Sequence, residues 1–279
     1  MAIDRYLVGD EVVTYGMANS TDKGWMLSTG RIRAYFEDEI LTDSVAQTIQ
    51  NIAAFGMDLA KNRRGAAYFS YPRPQECGWY GKEQISDWFS ICEDERFHLG
   101  DVYLNAMGDD ANSYLYYELV HLSGSLFPAI SATKWSAFLV NAVALVAVLL
   151  LLYGIAGYFT ADTKKQLLVC LLFGCSVGCL DLSTYLRAYM LAMAFQLALL
   201  LMHLKLYQAM RDGMEKAVRR DIAGLLVLYP LGYIAHYTTG VWAVVLGIAT
   251  LVWLKKNLTG QEQKKNTRRY LICGMLAVG

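Results

Sequence analysis

Several short constellations in this chain carry residues suited to acid–base or phosphate chemistry. Near the start, Asp10 and Glu11 are adjacent carboxylates in Gly9-Asp10-Glu11-Val12-Val13-Thr14-Tyr15. A second acidic pair, Asp109 and Asp110, opens the aromatic stretch that runs through Tyr114, Tyr116 and Tyr117 to His121. Farther on come Arg187-Ala188-Tyr189-Met190-Leu191 and the pair His236-Tyr237. A carboxylate at the rim of a bilayer can take the proton from an attacking hydroxyl, and partial burial raises its pKa toward the useful range. An arginine fork can hold a phosphate leaving group through two parallel N–H bonds, with the Tyr189 hydroxyl as a further donor. Each feature also has a plainer reading. Adjacent acids decorate soluble loops, Arg187 can snorkel to the interface or pair with Asp181, and a solitary His236 can serve as an interhelical hydrogen bonder. His98 has no partner at ligand spacing, so no metal is assigned to it.

The elements that would position these groups follow from a change of solvent along the chain. Residues 1–133 read as a water-soluble segment with charges, turns and interrupted apolar faces. From Lys134 onward, apolar runs alternate with short, mostly basic connectors. Residues 140–159, VNAVALVAVLLLLYGIAGYF, carry no charge. A run of this kind meets the ~20 apolar residues needed to cross the hydrocarbon core. Further spans are expected at Leu167–Leu180, Ala188–Tyr207, Ile222–His236 and Gly240–Leu254, with another apolar run starting at Tyr270. The fold class expected is therefore all-α membrane, a multispanning helical bundle of five spans and a truncated sixth over residues 134–279. A long, mainly helical extracytoplasmic segment, residues 1–133, precedes it.

Charge sets the expected orientation. Residues 1–133 carry 19 Asp and Glu against 10 Lys and Arg, and the remainder carries 6 against 15. The basic excess falls in alternate connectors: Lys164 and Lys165; Lys205 to Arg220; Lys255 to Arg269. The positive-inside rule puts those connectors in the cytoplasm and places Asp10, Asp110, the hinge Asp181–Arg187 and His236-Tyr237 together outside. Topology accounts for the basic residues and the outer segment is acidic, which argues against nucleic acid as a partner. The expected location is a bacterial plasma membrane.

Within the outer segment, Asp43–Lys61 has apolar residues at Val45, Ile49, Ile52, Ala53 and Leu59, near helical spacing, with Asp43 or Ser44 as its cap. Ile85–Ile91 is short and aromatic-rich, suited to a membrane surface, and Tyr68–Gly81 reads as a loop. A disulfide between Cys77 and Cys92 is permitted on the outer side, whereas Cys170, Cys175 and Cys179 read as packing residues within a span. Met1–Gly9 is neither a signal peptide nor a span, so the chain is expected to be an internal piece of a longer membrane protein.

The order of the motifs resembles the GT-C superfamily of integral membrane glycosyltransferases, in the branch of protein O-mannosyltransferases and lipid A aminoarabinose transferases. That branch shows an Asp-Glu pair after its first helix, then an Asp-x-His-Pro-Pro-Leu-Tyr-Tyr-like segment, then Arg-x-Tyr. Here these correspond to Asp10-Glu11, the segment from Asp110 to His121, and Arg187-Ala188-Tyr189, with His236-Tyr237 near a later outer loop. Two departures are visible: Asn112-Ser113-Tyr114 replaces His-Pro-Pro, and the outer segment is longer. The resemblance implies transfer of a sugar from a polyprenyl-phosphate donor to a protein, lipid or glycan acceptor. Asp10 would then be the catalytic base and Glu11 its neighbour, with Asp110, Arg187, Tyr189 and His236 binding substrate. No cofactor is expected. Some members of the wider superfamily use a divalent ion with paired acids, and Asp10 with Asp110 would be the pair to hold one.

Two rival classes share parts of this pattern. A non-enzymatic transporter would place polar or broken helices near the midplane, and Tyr229-Pro230-Leu231-Gly232 is the one such signal noted. A polyprenyl-linked glycan ligase or polymerase would need the same lipid-phosphate contacts.

Overall fold

The computed structural model describes residues 9–19, 35–62, 67, 81, 83, 89–106, 113–131 and 133–278. Its regular structure is helical, with no strand among the described residues. Close contacts divide the chain into two compact units, one of residues 6–110 with 117–136, the other of residues 1–5, 111–116 and 137–279. The loop expected over Tyr68–Gly81 and most of Ile85–Ile91 lie outside the described residues.

The first unit contains α1 (Gly9–Asn19), a π-helical turn (Phe36–Ile40), α2 (Val45–Lys61), α3 (Leu99–Ala106) and the part of α4 (Tyr114–Leu126) from residue 117. Helix α1 packs on α3. Tyr15, Met17 and Ala18 are buried, as are Val102, Ala106, Tyr117 and Val120. Side chains reach from this core to backbone that has no helical partner. Tyr15 donates its hydroxyl proton to the Thr133 carbonyl at 2.8 Å, and Asn19 Nδ2 donates to the carbonyls of Phe89 (2.8 Å) and Ser131 (3.2 Å). Gly124 is needed where α4 passes Ile91 and Ser131, since a Cβ there would lie 2.7 Å from Ile91 Cδ1 and 3.2 Å from Ser131 Cβ. Helix α2 begins as the spacing predicts, and Ser44 caps it by accepting from the Gln47 N–H. Cys92 is exposed, and Cys77, with which a disulfide was expected to be permitted, lies outside the described residues.

The second unit is an all-α membrane bundle. Its helices are α5 (Trp135–Ala156), α6 (Thr163–Gly174), α7 (Val177–Thr184), α8 (Tyr189–Arg211), α9 (Glu215–Ala235), α10 (Thr238–Asn257) and α11 (Gly260–Val278). Helices α5, α8 and α10 are each long and apolar enough to cross a membrane, and α6 with α7 makes a fourth candidate, bent by 59°. The expected single span over Leu167–Leu180 is therefore broken. Ser176 stops the run because its Oγ accepts from the Cys179 N–H at 3.1 Å, starting α7 on a new axis. Helices α9 and α11 combine charged first turns with shorter apolar stretches: Lys216, Arg219, Arg220 and Asp221 precede Ile222, and Arg268 and Arg269 precede Tyr270.

Helix α8 is the hub of this bundle, packed along α9 and α10, with α11 against α9. Leu199, Leu206, Leu225, Leu246 and Leu254 form its buried centre. By contrast Val143, Val146 and Leu150 of α5 are exposed, as a lipid-facing surface requires. At the charged end, Glu215 of α9 is hydrogen-bonded to Lys265 and, at 2.8 Å, to Arg269 of α11.

Those two cations, Lys265 first, hold the Glu215 carboxyl down to about 2. A carboxylate lowered on folding stabilises fully above its ordinary value of ~4.3, and that contribution fades as pH falls through the folded value. The distance between α9 and α11, read by a donor–acceptor fluorophore pair, should hold from neutral pH to ~4.3. It should loosen as pH drops toward about 2. Glu215→Gln should remove that pH dependence.

Candidate functional site

The structure brings Arg187, Tyr189 and His236 to one end of the second unit, where α7 gives way to α8 and α9 to α10. The chain break between α7 and α8 is narrow. Asp181–Thr184, expected as part of a hinge, are helical, and only residues 185–188 intervene. Asn141 of α5 holds this break open in one conformation. Its Nδ2 donates to the carbonyls of Ser183 (3.3 Å) and Tyr185 (2.9 Å), while its Oδ1 accepts from Tyr116 OH at 3.1 Å. Arg187 then turns tightly, its N–H reaching the Tyr185 carbonyl at 2.8 Å, between the buried residues Leu186 and Ala188. The guanidinium is thus carried on a backbone fixed at both sides. Asp181 is exposed, and its backbone carbonyl accepts from Tyr185 N–H and Thr184 Oγ1.

Aromatic rings gather around Tyr189, two residues along the chain from Arg187. Tyr185 and Tyr189 stack with centroids 5.8 Å apart and planes 6° apart. Tyr189 lies 5.3 Å from the His236 ring, and His236 stacks on Tyr237 at 4.6 Å. His236 is buried and starts α10: its Nδ1 accepts from the Thr238 backbone N–H at 3.3 Å and lies 2.9 Å from Thr238 Oγ1. A backbone N–H only donates, so this network assigns the neutral ring's proton to Nε2. Gln196 ties the same corner to α8, donating from Nε2 to Thr238 Oγ1 and accepting from Trp242 Nε1 at its backbone oxygen. Half-buried Arg187 and exposed Tyr189 leave polar atoms within reach of solvent at an aromatic wall. Such a wall can stack a sugar ring while the guanidinium holds an anion.

The carboxylates of the sequence reading belong to the first unit. Asp10 and Glu11 occupy the first turn of α1, where the helix dipole favours negative charge. Glu11 is wholly buried; the Asp10 side chain and all of Asp109 and Asp110 lie outside the described residues. Among the described residues no group of three or more His, Cys, Asp or Glu side chains is placed to hold a metal ion.

Three further groups were given no role of their own in the sequence reading. In α4, burial pushes the Glu118 carboxyl up from its ordinary value. On the same helix His121 is buried with Nδ1 2.7 Å from the Ala18 carbonyl, and burial is the main cause that lowers its pKa. In the bundle, His203 is fully buried within α8. Its Nδ1 lies 2.7 Å from the Leu199 carbonyl, and its Nε2 lies 2.9 Å from Tyr270 OH and 3.0 Å from Tyr229 OH. The two hydroxyls are themselves 3.0 Å apart. An ionisable residue inside an apolar run is the signal that points to His203 from sequence.

Asn141 makes an allocation that an apolar residue cannot, so Asn141→Leu should orphan the carbonyls of Ser183 and Tyr185. A loss of ~1–3 kcal/mol is expected. Thermal unfolding in detergent measures it, and Asn141→Asp should lose less than Asn141→Leu only if Nδ2 is not the essential atom.

No protein-family model matches the chain, and no curated protein or solved structure matches it.

Proposed function

We propose that this chain acts as a membrane glycosyltransferase of the GT-C type, moving a sugar from a polyprenyl-phosphate donor to an acceptor on the extracytoplasmic face. The observation that carries this reading is Arg187, in the short link between α7 and α8, flanked in sequence by the rings of the Tyr185–Tyr189–His236 contacts. It combines a phosphate-holding cation with a sugar-stacking surface at a helix boundary, where a lipid-linked sugar would present its head group. In this mechanism Arg187 takes the charge that builds on the departing phosphate and Tyr189 adds a hydroxyl donor. Asp10 accepts the proton of the attacking hydroxyl, and Glu11 supports it from the same helical turn. Bond formation to the anomeric carbon and loss of the phosphate then balance without a metal being invoked.

A transporter is the second reading, favoured by the buried His203–Tyr229–Tyr270 node and by the 59° bend between α6 and α7. Polar and broken elements inside a span are what a translocation path uses.

Purified full-length protein in lipid vesicles separates the two. With a polyprenyl-phosphate sugar supplied, Asp10→Asn should lower donor consumption by ~10²–10⁴-fold and leave donor binding intact. Arg187→Ala should instead weaken donor binding, and Glu11→Gln should be milder than Asp10→Asn. Normal turnover by Asp10→Asn would overturn the base assignment. Solute flux that survives both changes and disappears in His203→Ala would favour the transporter.

A further inference from the structure

Helix α2 is amphipathic, and its apolar line is not packed into the protein. Val45, Ile49, Ile52 and Gly56 follow one line at spacings of four, three and four residues, with Ala53, Met57 and Ala60 beside it. The opposite arc holds Gln47, Gln50, Asn51, Ala54, Asp58 and Lys61. In a water-soluble domain the apolar line would be buried, yet no residue of α2 is buried. Val45 is 77% exposed, Ile49 61%, Ile52 47% and Met57 58%. A Cβ added to Gly56 would meet nothing within 4 Å.

What α2 turns toward the protein is a half-buried flank of Thr48, Asn51, Phe55, Asp58 and Leu59. Asn51 Nδ2 donates to the carbonyls of Ile40 (3.1 Å) and Glu39 (3.3 Å). Asp58 accepts from Asn62 Nδ2 and from the Ala67 N–H, and Phe55 packs against Phe36 and Tyr35 with centroids 5.0 and 5.8 Å away. These contacts fix the rotation of α2 so that its apolar line faces outward.

We propose that α2 lies flat at the lipid–water boundary, with its apolar line among the upper acyl chains of a zwitterionic phospholipid surface. The same compact unit supplies the reason for lipid as occupant. It includes Trp135 and Ser136, the first residues of spanning helix α5. It also binds that entry directly, through Tyr15 OH to the Thr133 carbonyl and Ser136 Oγ to Tyr15 OH. A bilayer is therefore adjacent to this unit wherever α5 crosses one. Charge decides the lipid class: Asp58 and Lys61 cancel within α2, Glu37, Asp38, Glu39 and Asp43 precede it and Arg63 and Arg64 follow it, which leaves residues 37–64 net acidic. An acidic approach of this kind gains nothing from anionic headgroups and leaves burial of the apolar line as the driving force.

The test uses the full-length protein in phosphatidylcholine vesicles, with a single nitroxide attached in turn at positions 45, 49, 52, 47, 50 and 54. At 45, 49 and 52, collisions with oxygen should exceed those with an aqueous nickel chelate. The ratio should reverse at 47, 50 and 54, following the 3.6-residue period. A stripe that collides mainly with the nickel chelate is in water, and the proposal fails. A stripe closed to both reagents is covered by protein, which also refutes it; spectral broadening that grows with protein density would then identify a second copy. Because the labelled positions are exposed, folding is not at stake, and unchanged thermal unfolding of each labelled protein checks this.

Discussion

Hydrocarbon offers no hydrogen-bond partner, so every backbone N–H and C=O of a spanning segment must be satisfied from within the protein. That constraint explains why the described bundle is helical and why its breaks are short and occupied by side chains. At the bend between α6 and α7, Ser176 takes the Cys179 N–H, and its hydroxyl donates to the Phe173 carbonyl at 2.7 Å. At the end of α7, Ser183 donates to the Cys179 carbonyl and Thr184 to that of Leu180. Asn141 then takes the carbonyls of Ser183 and Tyr185 from the neighbouring helix. The position of Arg187 is a consequence of this accounting. A break with fewer side-chain partners could not hold the guanidinium at a defined place.

The same constraint makes the His203 node costly to assemble and specific once made. Buried polar groups are tolerated when each is hydrogen-bonded, and here one imidazole and two phenols from α8, α9 and α11 satisfy one another. Tyr207 and Thr250 add a second bond between α8 and α10 at 2.8 Å. Together these links fix helix register in a core otherwise made of leucines, where apolar contact specifies rotation poorly. An interhelical role of this kind is compatible with the glycosyltransferase reading and does not depend on it.

Much of the fold was legible because hydropathy and helix caps are local signals. The uncharged run after Trp135 and the onset of α2 after Ser44 follow directly from residue type and spacing. The bend at Gly174–Ser176 was not legible, since Leu167–Leu180 is apolar on both sides of one serine cap. Of the candidate site, Arg187 and Tyr189 were legible as neighbours in sequence, whereas nothing in the spacing of residues 189 and 236 requires their rings to lie 5.3 Å apart. Asn141 was invisible as a positioning residue because its partners are backbone carbonyls more than forty positions away. His203 looked like one residue in an apolar run until Tyr229 and Tyr270 closed around it. The acidic half of the site, Asp10 and Asp110, rests on motif order.

On the proposed reading the central contact is the Arg187 guanidinium on the phosphate of the donor. Full-length protein held in lipid vesicles and titrated with a polyprenyl-phosphate sugar measures this directly. Arg187→Ala should weaken donor binding, and Arg187→Lys should weaken it less, since lysine keeps the charge without the two-pronged fork. Equal donor binding by the native protein and Arg187→Ala would contradict the account.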